Sequence, residues 1–277
     1  MKLIDSSVKI LKQGEGIDGI YKQIELAGRT CYKSEENITS DSAKGFVDRM
    51  IKSKHGAMLE HGTVYLVIKT PKDALYHGHE ERYFRNKYSN VSEDIIDNEH
   101  IYYITTNFRV IAENDWFDDL QYLCEPTKYH EKRITVRFTC DRGVSHEFIR
   151  HRVFSFAQES TRYCNYSKDK FNNELIFIIP SWWNIIDTEI KEKFIDGLEY
   201  SEKEYLSLLG LGLKPQQARQ ILPNALKTEL VMTGTISQWK EFFKLRCDKA
   251  AHPDAQYLAK ELLKQLYEQY PNELKIE

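Results

Sequence analysis

Apolar residues recur at two spacings along the chain, and each spacing predicts one kind of element. Short runs that are rich in β-branched residues, or in which apolar and polar residues alternate, predict strands. These runs are 8–11, 63–69, 101–106 and 134–140. Apolar residues three and four positions apart predict amphipathic helices. We expect helices at 40–54, 144–149 and 198–211, around 218–221, at 238–248 and from 253 onward.

Residues with known preferences at helix ends locate several of these boundaries. Gly56 is the expected stop of the first helix, and Ser237 is the expected N-cap of the helix that carries Trp239. Pro253 fits the first turn of the last helix. The stretch 154–167 has no helical period, so it is predicted to be an extended loop.

The segment 71–131 differs in composition from its surroundings, because it is polar, acidic and rich in tyrosine. It contains the strand-like run 101–106. We interpret it as an insertion that elaborates a single domain spanning 1–277, and not as a separate fold.

Composition and cysteine usage favour a globular protein of the cytoplasm. At 277 residues the chain can bury a sizeable core. No apolar run approaches the 18 residues of a membrane span, and charges interrupt the apolar residues at the N-terminus, unlike in a signal peptide. The five cysteines are odd in number and never form a CxxC pair, which argues against a disulfide framework and a zinc cluster.

The segment 150–163 concentrates anion-binding side chains in a chain whose formal net charge is −3. Its polar members include Arg150, His151, Arg152, Gln158, Ser160, Thr161 and Arg162. Guanidinium groups bind phosphate and carboxylate through two parallel hydrogen bonds. An isolated RHR triplet is usually a solvated basic turn, but aromatic residues interleave this longer pattern. The combination suits a site that binds a nucleotide by its base and its phosphate.

Other motifs are weaker. The run Gly14, Gly16 and Gly19 matches GxGxxG, but the polar stretch and second helix that follow do not fit a dinucleotide-binding unit. His77 and His79 have no third ligand at a recognisable spacing, which favours a surface loop over a metal site.

His55 and His61 bracket the end of a predicted helix. They are either capping residues, which the spacing favours, or donors that face a ligand at a sheet edge. Ser160 lies in no GxSxG elbow, so a hydrogen-bond donor is a better interpretation than a nucleophile.

Five separated segments together resemble the flavin-dependent thymidylate synthases, the ThyX family. The central one is RHR, seven residues, then Ser160-x-Arg162, which resembles the family signature. The other four, in chain order, are 29–34 (RTCYKS), His55-x4-Glu60-His61, Arg219 with Leu222-Pro223, and 233–246 ending in Arg246. The segment 71–131 has no counterpart in the shorter members.

The resemblance implies an α/β fold, with a mixed sheet packed against long helices. It implies reductive methylation of dUMP to dTMP, with methylenetetrahydrofolate as the carbon donor, NADPH as the reductant and bound FAD as the relay. Family members are homotetramers that share active sites between subunits. A cofactor that carries the chemistry also explains why no activated nucleophile is visible in the sequence.

The resemblance also assigns residues to ligands. Those expected to bind FAD are His55, Arg150, His151, Arg152, Gln158 and Thr235. Those expected to bind dUMP are Glu147, Arg150, Gln158, Ser160, Thr161, Arg162, Arg219 and Arg246. Arg246 is the expected catalytic residue, since a guanidinium cannot act as a base but can stabilise negative charge on the uracil carbonyl system.

The chain departs from the family pattern at some of these positions. Family members often have Gln where Glu147 stands, Glu where Gln158 stands, and Asn and Arg where Thr235 and Ser237 stand. Two other functions compete with the resemblance. One is a nucleic-acid-binding module built on RHR and its aromatic neighbours, against which the pI of about 6.3 argues. The other is a transferase that uses Ser160 as its nucleophile.

Overall fold

The computed structural model describes residues 1–71, 78–168 and 171–275, and this part of the chain mixes α-helices with three β-sheets. The strands are β1 Lys2–Asp5, β2 Ser7–Leu11, β3 Thr63–Pro71, β4 Asn90–Ile96, β5 Glu99–Asn107, β6 Arg133–Asp141, β7 Ser155–Gln158, β8 Ile176–Ile179 and β9 Lys227–Thr235. The helices are α1 Gly16–Tyr32, α2 Ser42–Lys52, α3 Gly56–Leu59, α4 Glu81–Phe84, α5 Phe108–Asn114, α6 Arg142–Phe148, α7 Thr188–Gly210, α8 Pro215–Ala218, α9 Ile236–Arg246 and α10 Pro253–Tyr267. The α/β class expected from the sequence is confirmed.

The central sheet has the strand order β2-β6-β9-β7 and is antiparallel throughout. Alternate residues of β6, namely Ile134, Val136 and Phe138, are buried, as the alternation in the sequence predicts. They pack against Trp239 of α9 and against Leu258 of α10 in the largest apolar cluster. Both helices therefore cover one face of this sheet.

The segment 71–131 is integrated into the chain through a second sheet. Its strands β4 and β5 extend β3 in the order β3-β5-β4, with Leu66 opposite Ile104. Ile104 and Phe108 belong to one apolar cluster with Ile24 of α1 and Val47 of α2. The added strands thus share a core with helices outside the segment. The limits of the domain remain a prediction.

The third sheet joins the N-terminal strand to a distant part of the chain, because β1 pairs in parallel with β8, with Lys2 opposite Ile176. Nearby, the N-terminal ammonium group of Met1 lies 2.8 Å from a carboxylate oxygen of Glu202 on α7. Within the described residues, no helix is both long and apolar enough to cross a membrane.

Several boundaries differ from the sequence prediction. The first predicted helix ends at Lys52, and Gly56 begins α3 instead of stopping α2. The N-cap of α9 is Thr235 and not Ser237: its hydroxyl accepts from the Gln238 N–H, while the Gln238 side chain accepts from the Thr235 N–H. The predicted loop 154–167 contains strand β7, which pairs with β9.

The glycine run near the N-terminus does not open a dinucleotide-binding unit. The preceding strand β2 pairs antiparallel with β6, whereas such a unit needs parallel strands. Gly16 has a φ of 63°, a backbone conformation that favours glycine, and α1 begins there.

A glycine of β9 gives a stability test of the central packing. A Cβ at Gly234 would lie 2.4 Å from a ring carbon of Phe154, whereas nothing lies within 4 Å of a Cβ at Gly197 on α7. We expect Gly234→Ala to lower the free energy of unfolding by about 1–3 kcal/mol through overpacking. Gly197→Ala, the matched control, should raise it by about 0.5–1 kcal/mol. Urea denaturation measures both, and equal effects of the two variants would contradict this packing.

Candidate active site

Helix α6 presents the first group of predicted site residues. It begins after Asp141, whose carboxylate accepts a hydrogen bond of 2.7 Å from the Val144 N–H. One turn before the RHR triplet it carries Glu147, whose carboxylate lies 3.5 Å from the guanidinium of Arg150. The Arg150 side chain is 70% exposed, so it remains open to a further partner.

Arg246, at the end of α9, meets this group. Its Nε–H donates to His151 Nε2 at 2.9 Å, and one terminal nitrogen donates to the Glu147 carboxylate at 2.8 Å. The other terminal nitrogen donates to the Glu147 carbonyl oxygen. The Arg246 side chain is only 13% exposed, as expected from its position one turn beyond Phe242. Glu147, which the resemblance assigns to dUMP, thus holds Arg246 in place.

His151 accepts the hydrogen bond from Arg246 in its neutral form. Burial lowers the pKa of its imidazole to about 4, and the positive charge of Arg246 adds to this effect. Its ring packs 4.9 Å from the ring of Phe242, centroid to centroid. The imidazole therefore positions Arg246 and does not compete with it as a second cation.

Strand β7 and the turn after it position a second group. The Gln158 amide donates to Ser145 Oγ at 2.9 Å and to Thr228 Oγ1 at 3.3 Å. The Ser160 N–H donates to the Cys31 carbonyl oxygen at 2.9 Å. The turn is thereby attached to the end of α1, in the segment 29–34 that the resemblance also includes.

Arg219 approaches this turn from a distant part of the chain. One terminal nitrogen donates to Thr161 Oγ1 at 3.3 Å, and Arg162 Nε donates to Gln216 Oε1 at 3.3 Å. The guanidinium groups of Arg162 and Arg219 have no carboxylate partner within 4 Å among the described residues. Two cations and two hydroxyl groups therefore meet at one turn, in which Arg162 is exposed, Ser160 is half-buried and Thr161 is buried.

Buried charged side chains form a network that includes Glu159, the residue just before Ser160. Lys227 Nζ lies 2.8 Å from Glu159 and 2.9 Å from Glu229, and Lys33 Nζ lies 2.9 Å from Glu229. Burial alone would raise the pKa of Glu229, but Lys227 and Lys33 lower it to about 2. This network was not predicted, although Lys227 and Glu229, two residues apart on one face of β9, indicate an ion pair in the sequence.

Arg152 and Thr235 lie at a cavity of about 670 Å³. Val153, Phe154, Ser155 and Gln238 line it with them, and much of the remaining lining comes from the segment 71–131. His55, which the resemblance assigns to the cofactor, is exposed at the start of α3 and is not part of this lining.

Two of the other histidines singled out by the sequence, His61 and His79, have structural partners. His61 is fully buried, and its Nδ1 lies 2.8 Å from Thr233 Oγ1, so it faces no open site. His79 contacts the buried Asp119 at 2.5 Å, and His77 lies outside the described residues. Among the described residues, no group of three or more His, Cys, Asp or Glu side chains could hold a metal ion.

The predicted site residues thus form three groups in one subunit. Arg246 joins Glu147, Arg150 and His151, and Arg219 joins Thr161 and the turn around it. Arg152 and Thr235 share the cavity. No hydrogen bond or ion pair between described side chains joins Arg219 to Arg246 directly.

Comparison with known proteins identifies the family of this chain. Residues 130–272, just over half of the chain, match the family described as thymidylate synthase complementing protein. The flavin-dependent thymidylate synthase of Corynebacterium aurimucosum is 32% identical over 275 residues, covering 93% of this chain and 80% of that protein. The chain therefore belongs to this family.

Other matches are shorter or more distant. The flavin-dependent thymidylate synthase of Pyrococcus abyssi is 35% identical over 112 residues, which cover 40% of this chain and 45% of that protein. The matched part thus spans about half the length of this relative. A crystal structure of the UMP/dUMP methylase PolB from Streptomyces cacaoi, bound with 5-Br dUMP, matches with a TM-score of 0.46 at 15% identity, over 97% of this chain and 93% of that one. A likeness of that size does not assign an activity.

The low pKa of His151 predicts a pH dependence of stability. The unfolded chain binds a proton at His151 below its ordinary value of 6.5, whereas the folded chain does so only near 4. The unfolded state is therefore favoured as the pH falls from 6.5 towards 4. We expect the wild type to lose more unfolding free energy than His151→Gln over this window. Urea denaturation at pH 7 and pH 4.5 measures the difference, and parallel losses would contradict a depressed pKa.

Proposed function

We propose that this protein is a flavin-dependent thymidylate synthase that methylates dUMP to dTMP. Methylenetetrahydrofolate is the carbon donor, NADPH the reductant and FAD the bound cofactor. Family membership and the names of the relatives support the reaction class. The observation that carries the proposal is Arg246, which Glu147 and His151 hold in one orientation beside the exposed Arg150.

In this proposal the turn after β7 binds the phosphate of dUMP. Ser160 and Thr161 offer hydroxyl groups, while Arg162 and Arg219 offer guanidinium groups that no described carboxylate neutralises. Charge-assisted hydrogen bonds of this kind are the strongest that a side chain makes to phosphate. The Glu159–Lys227 ion pair beneath the turn fixes its start, so little ordering remains to be done when the phosphate binds.

Arg246 is the catalytic residue of the proposal. An arginine has five N–H groups, and three of those of Arg246 are used on His151 and Glu147. One N–H on each terminal nitrogen is left, and this pair suits the carbonyl oxygen of a uracil ring on which negative charge develops. Because the guanidinium is already oriented, it stabilises that charge without reorganising during the reaction.

FAD fits the residues around the cavity. Arg152 supplies an exposed cation, Thr235 and Ser155 supply hydroxyl groups, and the volume of about 670 Å³ is in the usual range of ligand sites. Arg150, His151 and Gln158 adjoin this lining in the sequence and would bind the flavin end, with His55 at its edge. FAD supplies the redox chemistry and the methylene relay when it is bound. The chain's own residues bind and orient the two ligands.

We also propose a homotetramer with shared active sites, located in the cytoplasm. Three exposed apolar residues are sequence neighbours of site arginines. Ile149 precedes Arg150, Val153 follows Arg152, and Leu245 precedes Arg246. Apolar side chains that surround charged site residues are typical of a surface covered by a partner. No disulfide bond joins any of the five cysteines, which suits a reducing compartment.

The first test separates cofactor binding from turnover. Wild-type protein should bind FAD and show a flavin absorbance spectrum, and it should form dTMP from dUMP. Arg246→Ala should still bind the flavin, but its kcat should fall about 10²–10³-fold, as it does when a hydrogen-bond donor to developing negative charge is removed from other enzymes. Lys244→Ala, on the exposed side of the same helix, is the control and should match the wild type. Protein that binds no FAD, or full turnover by Arg246→Ala, would refute the proposal.

The second test concerns the phosphate. Replacing Arg219 by Ala removes one charge-assisted hydrogen bond, which is worth about 1.5–3 kcal/mol, so the KM for dUMP should rise about 10- to 100-fold. The KM for NADPH should stay near the wild-type value. The neighbouring exposed Gln220→Ala is the control. If both KM values rise together, Arg219 does not act on the phosphate of dUMP.

A further inference from the structure

The segment 71–131 and the RHR region line the same cavity. Outside the segment, the lining includes Arg152, Val153, Phe154 and Thr235. The segment contributes the turn 86–90, residues of β5 and α5, and Glu131. The segment thus forms one wall of the cavity that is proposed above as the cofactor site.

The turn at 86–90 is held in place by its own hydrogen bonds. The Asn86 side-chain oxygen accepts from the Tyr88 N–H at 2.9 Å, and the Ser89 N–H donates to the Asn86 carbonyl at 3.1 Å. The Ser89 hydroxyl then donates to Thr106 Oγ1 on β5 at 2.9 Å. The turn is therefore attached to the sheet, and its backbone is fixed before any ligand arrives.

Two side chains of this turn are open to a ligand. Tyr88 is 64% exposed, and Lys87 Nζ lies 4.9 Å from the centroid of its ring. No carboxylate of the described residues lies within ion-pair distance of Lys87. An aromatic face next to an uncompensated ammonium group suits a heteroaromatic base that is attached to phosphate.

The other charges of the segment at this cavity are already paired. Arg109 donates to Glu60 at 2.6 Å and to Glu113 at 2.8 Å, and the Glu131 carboxylate accepts from the Ser237 hydroxyl at 2.7 Å. These contacts connect the segment to Glu60, a residue of the His55-x4-Glu60-His61 motif, and to the start of α9. Among the cations of the lining, Lys87 and Arg152 are exposed, whereas Arg133 donates hydrogen bonds to the Glu60 carbonyl oxygen and to Ser155.

We propose that Lys87 and Tyr88 bind the adenosine diphosphate half of FAD, with Tyr88 stacked on the adenine and Lys87 at the diphosphate. This inference rests on the proposed function. The reacting flavin ring must lie near the dUMP residues, on the side of His151 and Arg246. The distal half of the cofactor then extends along the cavity from Arg152 to the turn, where its binding contributes affinity without taking part in the reaction.

The test compares FAD with FMN, which lacks the adenosine monophosphate part. Each is titrated into apoprotein of the wild type, Lys87→Ala, Tyr88→Ala and Tyr88→Phe, and flavin fluorescence reports binding. We expect Tyr88→Ala to weaken FAD binding about 5- to 100-fold, the range of one stacked base, and to leave FMN binding unchanged. Tyr88→Phe keeps the aromatic face and should bind FAD like the wild type. Lys87→Ala should weaken FAD binding more than FMN binding.

Phe84→Ala provides the matched control. Phe84 is also an exposed aromatic residue of the segment, but it packs against Tyr102 and does not line the cavity. It should bind both flavins like the wild type. If Lys87→Ala and Tyr88→Ala leave the ratio of FAD affinity to FMN affinity unchanged, this inference is wrong, and the proposed function is unaffected. An equal loss of affinity for both flavins is such an outcome. Wild-type protein that binds neither flavin would overturn the proposed function as well.

Discussion

The antiparallel pairing of β6 with β9 is the constraint on which the site depends. Asp141 at the end of β6 lies opposite Lys227 at the start of β9, so α6 and α9 leave the sheet from opposite ends. At about 1.5 Å per residue, the seven residues of α6 and the eleven of α9 span about 10 and 16 Å. A nine-residue strand spans about 27 Å between its ends. The two helices run back along the same face, and their lengths bring Glu147 and Arg246 together.

This geometry explains which parts of the fold could be predicted. The apolar periodicity of strand β6 and of helix α10 is complete within one short stretch of sequence, and both elements were predicted. Strand β7 was missed because its four residues are stabilised by pairing with β9, about 75 positions later, and local sequence contains no trace of that partner. The N-cap of α9 was misplaced by two residues because both Thr235 and Ser237 suit the position. The reciprocal bonds with Gln238, three residues after Thr235, decide between them.

The residues of the candidate site also fall into those that the sequence predicts and those that it does not. The resemblance names the arginines and hydroxyl groups, because family motifs record residue types in chain order. It does not name their supports. Glu147 meets Arg246 across 99 positions, and Lys227 meets Glu159 across 68, so neither pair leaves a local signature. The approach of the 86–90 turn to Arg152 depends on the β3–β5 register, which fixes where the added strands turn back towards the sheet.

The residues that contact the site arginines also determine the net charge of each part of the site. Glu147 accepts from Arg246 and lies near Arg150, so the three side chains together carry one net positive charge and not two. His151 stays neutral at physiological pH because burial and Arg246 lower its pKa. The turn with Arg162 and Arg219 keeps its positive charge uncompensated among the described residues. The chain thus separates a region of high positive charge from a region where charge is nearly balanced and N–H groups are fixed. The second region favours charge that develops on a neutral ring over an anion that is already formed, because its donors are oriented while its net charge is small.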